Sequence, residues 1–334
     1  MDYLHNSSVP ATKSELNVFT VPPTQTAIET YYEVVYRPTT PLQSSKVFDI
    51  NIPACEDMTD LASTYISATL SIKDKSNNDL AAVDVVSLEP GFANCLFEQI
   101  DFFLNGVNIA QATNLYHHQA YIEDLLYKPT HPTDIGAGWE GEEELNVRAK
   151  GKIGLYFRLH NPLCNQDKLL IENIPILLRL TRTGDSFGLR VPESATVTDY
   201  RLTLHDLSVH VKRVKIYPDV SLGISSALEK AACRYFVTRN EMKDFVLTTG
   251  SSHYNFEGVF SGILPKRMIV LFISNESLGG DLKLGPFKYE NFKLTQITAN
   301  VNGFPVLTIP CTPNFEKSLC IREFVSLYRF TNQG

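Results

Sequence analysis

NCLFEQIDFFLNG (94–106) and NFKLTQITANVNG (291–303) are the same short paragraph written twice. At a constant offset of 197 positions, Asn94/Asn291, Gln99/Gln296, Ile100/Ile297, Asn105/Asn302 and Gly106/Gly303 are identical, five in 13. Ordinary composition would give about one match. Each copy ends in Asn-Gly between apolar runs, the strongest local signal for a two-residue hairpin, because both turn residues must take positive φ. Each is followed by a short extended run, an asparagine and an amphipathic stretch: NLYHHQAYIEDLLY (114–127) and NFEKSLCIREFVSLY (314–328). A repeat separated by nearly 200 residues is a domain used twice, not a solenoid unit.

Outward from these hairpins the chain reads as strands. Tyr32, Val34 and Tyr36 alternate with Glu33 and Arg37, Phe48, Ile50 and Ile52 with Asp49 and Asn51, and Ile66, Ala68, Leu70 and Ile72 with Ser67, Thr69 and Ser71. A period of two buries one face and wets the other, as in antiparallel sheets. The pattern resumes at Ile153, Leu155, Phe157 and Leu159, at Ile176, Leu178 and Leu180, and through 200–217. In that last stretch the apolar parity slips between Leu204 and Leu207 and again between Val211 and Val214, and each slip predicts a bulge. Residues 114–127 predict a helix capped by Asn114, with His118, Tyr121, Ile122, Leu125 and Leu126 on one face. Residues 128–150 predict a long loop. Residues 220–232 predict a short linking helix, after which strands are expected at 235–239, 245–249 and 268–273. The last run is apolar throughout, which predicts cover on both faces.

Strands with turns between, one helix after a hairpin in each copy, and no βαβ rhythm describe an all-β chain of antiparallel sandwiches, and the spacing suits tandem jelly rolls. The expected organisation is an extended arm over 1–27, a first roll over 28–218, a connecting helix over 219–232 and a second roll over 233–334. In copy one about 90 residues of strand-like sequence follow the helix; in copy two only 329–334 remain, so the second roll is expected to be incomplete. The arm either lies on a neighbour or frays.

The 334 residues carry a net charge of −7, and no basic arm offers itself to nucleic acid phosphates. The start, MDYLHNSSVP, lacks the basic and apolar regions of a signal peptide. No apolar run exceeds six residues, far short of a membrane span. The cysteines (55, 95, 164, 233, 311, 320) contain no Cys-x-x-Cys and read as free thiols of a reducing, intracellular compartment, which leaves the sequons at Asn6 and Asn275 without use.

Candidate chemistry is sparse. Gly136-Ala137-Gly138-Trp139-Glu140-Gly141 fits the letters of a dinucleotide fingerprint, but no strand precedes it and Glu142, Glu143 and Glu144 follow, where they would repel a phosphate. The acidic run Glu140–Glu144 has no metal-ligand spacing and reads as a solvated loop tip. His117 and His118, adjacent on a helix, diverge by about 100° and are not expected to share a metal. His205 and His210 face opposite ways unless a bulge intervenes. Lys212, Arg213 and Lys215 form the one compact basic cluster, either a solvated strand edge or a contact for DNA or a lipid headgroup. No catalytic, cofactor or metal role is assigned to any residue.

FTVPPTQTAI (19–28), NPLCNQDKLL (161–170), LLRLTRTGDSFGL (177–189), ALEKAACRYFVTR (227–239) and GILPKRMIV (262–270) resemble the major capsid proteins of Polinton (Maverick) elements and their adintovirus-like relatives, over about residues 12–330. The resemblance implies a double jelly-roll structural subunit, forming homotrimers of pseudo-sixfold outline in the lattice of an icosahedral shell. It also implies a penton or minor capsid protein, a maturation protease and a packaging ATPase as neighbours, and a virion location. Members of that family continue past the second helix. A host-adopted jelly-roll binding module is the alternative, for carbohydrate or protein, and Trp139, the only tryptophan, is its best residue for a sugar platform. An enzyme is the third reading.

Overall fold

A computed structural model describes residues 18, 21, 24–80, 84–110, 113–127, 136–195, 199–260, 262–306 and 309–331. Most of the arm expected over 1–27, and residues 128–135 of the expected loop, lie outside them.

Residues 28–216 form a complete jelly roll. One four-stranded antiparallel sheet has the order β1 (Ile28–Tyr36), β10 (Arg201–Ile216), β3 (Met58–Lys73), β7 (Lys152–Arg158). The facing sheet has the order β2 (Val47–Ile52), β8 (Ile176–Arg182), β5 (Phe97–Leu104), β6 (Val107–Asn108). A two-stranded pair, β4 (Ser87–Leu88) with β9 (Leu189–Arg190), closes one end. Without that pair, the eight strands in chain order occupy positions 1-8-3-6 and 2-7-4-5, the interleaving of two Greek keys.

The period-two residues make the core. Phe48, Ile50 and Ile52, Ile66, Ala68 and Leu70, Ile153, Leu155 and Phe157, and Ile176, Leu178 and Leu180 are all buried in one cluster between the sheets. β7 alternates buried and exposed along its whole length. β1, an edge strand bonded only to β10, is mostly exposed, so the alternation at Tyr32 and Val34 is weaker than the sequence suggests. Both expected bulges occur: the β10–β3 register slips between Leu204 and Asp206, as expected, and between His210 and Lys212, just before the second expected slip.

At the first hairpin Asn105 and Gly106 have φ of 47° and 80°, the left-handed pair that matches strand twist. Helix α1 (Tyr116–Tyr127) follows. Asn114 is not its cap: it has φ of 53° and stands two residues before the first turn. His118 and Ile122 are buried as expected, whereas Leu125 is 54% exposed. The expected loop over 128–150 contains a second helix, α2 (Glu142–Ala149), held by Leu145 and Ala149 in the core. The three consecutive glutamates hid this short amphipathic turn. The linker helix expected over 220–232 forms as α3 (Pro218–Leu228), ending four residues early, with Pro218 in its first turn and no buried residue.

Beyond α3 the expectations divide. The second Asn-Gly forms the same turn, with φ of 51° and 84° at Asn302 and Gly303, between β11 (Asn300–Val301) and β12 (Phe304–Pro305). Helix α5 (Ile321–Thr331) follows, starting seven residues later than the amphipathic pattern begins. The strands expected at 235–239, 245–249 and 268–273 do not form: these residues join no ladder, and Ile273 alone makes an isolated bridge, to Tyr289. Met268, Val270 and Leu271, expected to be covered on both faces, are exposed. Alternation marks a segment able to be a strand; a ladder partner makes it one.

One stretch of the second half packs on the first roll. Ser274 caps the one-turn helix α4 (Asn275–Leu278) through its side chain. Leu282 and Phe287 then enter the core of the first roll, and the Val191 N–H donates to the Leu282 carbonyl at 2.9 Å.

Candidate functional site

The densest group of functional side chains lies where α1 meets the end of β7. The imidazole of His160 sits between two carboxylates from successive residues of the helix, Nδ1 at 3.0 Å from Glu123 Oε2 and Nε2 at 3.1 Å from Asp124 Oδ1. The remaining carboxylate oxygens are also satisfied. Asn94 Nδ2 donates to Asp124 Oδ2 at 2.8 Å and Trp139 Nε1 to the same atom at 3.2 Å. Gln119 donates to Glu123 Oε1 at 2.9 Å, and Asn240, from the second half of the chain, donates to the same oxygen. The Tyr116 hydroxyl accepts from the His160 backbone N–H at 3.1 Å.

Burial opposes charge on His160, but the hydrogen bonds to Asp124 and Glu123 outweigh it and raise its pKa to about 9. Burial likewise pushes the two carboxyls up, and the hydrogen bonds from His160 more than reverse this, leaving both below the ordinary range. The group is therefore an imidazolium held by two carboxylates at neutral pH. Both ring nitrogens are donors already in use, so the ring has no lone pair to accept a proton. The adjoining cavity, lined in part by Tyr116, Gln119, His160, Arg239 and Asn240, has a volume of about 30 Å³, room for little more than a water molecule. This arrangement clamps a helix to a strand end and gathers the second half of the chain onto the same point. Sequence reading missed it because His160 lies 37 positions from Glu123; the visible trace was an acidic pair between the apolar residues Ile122 and Leu125 of the helix.

A second buried group lies nearby on α1. The rings of His117 and His118 are 4.5 Å apart, closer than their helical divergence suggested. His117 meets the edge of Phe187 at 4.7 Å, and His118 meets Phe287 at 5.4 Å. His118 Nδ1 is 2.9 Å from the Tyr289 hydroxyl. Burial lowers their pKa values to about 3 and about 4, so both are neutral. No third metal-ligating side chain joins them among the described residues.

The other sequence candidates resolve into packing. Gly136 and Gly138 let the backbone run against neighbouring chain: a Cβ at Gly136 would stand 2.3 Å from the Tyr156 carbonyl oxygen, and one at Gly138, where φ is 82°, 3.1 Å from Phe92. The Gly91 N–H donates to the Gly138 carbonyl at 2.9 Å. Glu140 is not solvated, as expected for a loop tip, but partly buried and paired with Arg148 at 2.5 Å. Trp139 is half-buried, with its ring stacked on Tyr121 at 5.1 Å and against Gly91, so the ring faces that a sugar would stack on are occupied by the protein itself. His205 and His210 have separate partners, Ser71 at 2.8 Å and Glu33 at 2.7 Å. The basic cluster is no patch. Lys212 pairs with Asp60, Lys215 pairs with Glu29, and Arg213 is 2% exposed. The Arg213 guanidinium donates to Thr59 Oγ1 at 2.5 Å, to the Pro53 carbonyl at 3.2 Å and to the Tyr36 hydroxyl at 3.4 Å. All six cysteines are free. No helix among the described residues is long and apolar enough to cross a membrane.

No protein-family model matches the chain. An uncharacterized protein of Caenorhabditis elegans is 19% identical over 291 residues, covering 80% of this chain and 68% of that protein. Among solved structures, the PBCV-1 virus capsid is similar at a TM-score of 0.42 and 11% identity, over 62% of this chain and 47% of that one. The Sputnik virophage structure is similar at 0.42 and 10% identity, over 64% and 53%. The mavirus major capsid protein is similar at 0.38 and 11% identity, over 65% and 54%. The chain thus spans about half the length of these solved chains.

Proposed function

We propose that this chain is a structural subunit of a virus-like protein shell, the major capsid protein of a Polinton/Maverick-type element. One observation carries the reading. The chain builds a complete jelly roll and then repeats the sequence and turn of its Asn-Gly hairpin at an offset of 197, with a helix after each copy. A second roll beside the first would let three chains fill a position of sixfold outline, an economy of closed oligomers. The long family-like motifs extend the same way, since ALEKAACRYFVTR and GILPKRMIV fall in the second half and LLRLTRTGDSFGL in the first.

The side-chain chemistry favours walls over turnover. The strongest charged cluster is spent on itself, with both His160 nitrogens occupied. The larger surface hollow, about 170 Å³ between Asn51, Pro53, Gly106 and Leu177, carries no ionisable side chain. An acidic chain whose basic cluster is paired or buried suits a shell filled by a separate motor better than one that condenses its genome by charge. In this reading the partners are further copies of the chain and a penton or minor capsid protein of the same element, inside the host cell and then in the virion.

Sedimentation equilibrium of the full chain tests the reading. Trimers at three times the 37.5 kDa subunit mass, or larger closed assemblies, are expected. A strictly monomeric species at high concentration would overturn it.

A further inference from the structure

Residues 274–289 form a strap laid over α1 and one end of the first roll, and its contacts there are aromatic and close. Gly280, at φ of 78°, presses on Phe187, where a Cβ would stand 2.5 Å from the ring. Phe187 in turn meets the edge of His117 at 4.7 Å. Phe287 stacks on Tyr121 at 4.0 Å and meets His118 edge-on at 5.4 Å. The Tyr289 hydroxyl is 2.9 Å from His118 Nδ1. The two adjacent histidines are thereby enclosed at the joint, 5% and 4% exposed. His117 Nδ1 and His118 Nε2 are buried without a hydrogen-bond partner among the described residues. A neutral imidazole has one N–H, whereas an imidazolium has two and a positive charge. Protonating His118 in place would bury a charged donor with no acceptor, beside a second imidazole 4.5 Å away.

The ionisable groups of the surrounding elements are engaged elsewhere. On α1, Glu123 and Asp124 hold His160. On the strap, Asp281 accepts from the Lys283 and Leu284 N–H groups, and Lys288 pairs with Glu290 just beyond it. Asp185, before Phe187, pairs with Arg182. Burial keeps the Cys95 thiol and the Tyr289 phenol neutral and pushes Tyr121 up to about 12. Glu89, just after β4, lies against Gly285 of the strap, and its Oε2 is 3.3 Å from Arg190 Nε. Burial raises the Glu89 pKa, so its protonation favours the docked strap and opposes the histidines.

We propose that His118, with His117 behind it, is an acid-sensitive latch: protonation releases the strap 274–289 from α1 while the first roll stays folded. In the docked form burial holds His118 at about 4 and His117 at about 3, and a solvated ring takes its proton near 6.5. The latch is closed above pH 6.5 and weakens as pH falls through that value. At pH 5 proton uptake by His118 alone favours release about thirtyfold. The other ties of the second half do not involve these rings. The Tyr235 hydroxyl donates to the Leu169 carbonyl, and Asn240 donates to Glu123, which stays ionised at pH 5. Release is therefore confined to the strap.

The test is amide hydrogen exchange of the full chain at pH 7.5 and pH 5, expressed as protection factors so that the intrinsic pH dependence is removed. The Val191 N–H, which donates to the Leu282 carbonyl across the joint, and the bonded amides of 278–285 are the reporters. Their protection should fall at least tenfold at pH 5, while the amides of β5 and β8 keep theirs. His118→Phe retains a ring without a proton site and should hold the strap at pH 5; Glu89→Gln should still release it. The wild-type His118 ring gives a second reading by NMR, with a titration midpoint expected below 6. Equal protection at the two pH values would overturn the latch. So would the same fall in His118→Phe, a His118 midpoint at or above 6.5, or a loss shared equally by β5 and β8, which would be unfolding of the roll.

Discussion

His160 and the His117–His118 pair are buried on the same helix-facing surface, yet they respond to pH with opposite sign. The folded pKa of His160, about 9, lies above the ordinary value of 6.5, so its contribution is full below pH 6.5 and is lost as pH rises through 9. That contribution amounts to about 3 kcal/mol, at roughly 1.4 kcal/mol per unit. His117 and His118 are held near 3 and 4, so their contribution is full above 6.5 and declines as acid protonates the unfolded chain but not the fold. By pH 5 each costs about 2 kcal/mol. Denaturant melts taken from pH 4 to 10 should therefore trace a dome near neutrality. His118→Phe should flatten its acid side, and a profile unchanged by that variant would show that the ring does not titrate as placed. His160→Ala leaves Glu123 and Asp124 buried without their shared cation. It should cost about 3–5 kcal/mol and abolish the alkaline slope. A loss under 1 kcal/mol would mean that solvent reaches the carboxylates.

At the scale of elements, the two Asn-Gly hairpins are one device in two settings. A Cβ at Gly106 or at Gly303 meets nothing within 4 Å, so an alanine there is penalised only through φ, at 80° and 84°. Gly106→Ala should lower stability by about 1 kcal/mol, because β5 and β6 belong to a sheet that bounds the core. Gly303→Ala should leave the thermal midpoint unmoved, since β11 and β12 support no sheet. Equal losses would indicate that the second ribbon already carries packing. The same contrast explains which elements could be read from sequence. The strands of the first roll were legible because alternation, hairpin and bulge signals all agreed with ladders that the chain itself supplies. The runs at 245–249 and 268–273 have equally good local signals, but strand formation is a pairwise property and they join no ladder among the described residues. Helix α2 was obscured by its three glutamates, since its inward face shows in the sequence as little more than Leu145 and Ala149, both buried. Arg213 looked like a surface charge because its partners, Thr59, Tyr36 and Pro53, lie at least 154 positions away.

For the whole molecule, the decisive joint is the one between the halves. Several contacts tie the second half to the first roll, among them these. The Tyr235 hydroxyl bridges the Leu169 carbonyl and the Ile171 N–H at 3.0 Å each, Asn240 reaches Glu123, and residues 282–289 pack over α1. Phe287 is the anchor of the last: it is 5% exposed, stacked on Tyr121 at 4.0 Å and set edge-on to His118. Phe287→Ala removes a buried aromatic ring, a change of about 3–5 kcal/mol where the site cannot collapse. The strands of the first roll are closed by their own ladders, so this loss should fall on docking and not on the roll. Limited proteolysis should then cut within 229–300 several times faster, while a fragment spanning about 28–217 stays resistant and keeps its β-sheet circular dichroism. Leu282→Ala should act in the same direction. Joint loss of both parts would show that the roll depends on its neighbour for folding, and the halves would then have to be treated as one cooperative unit.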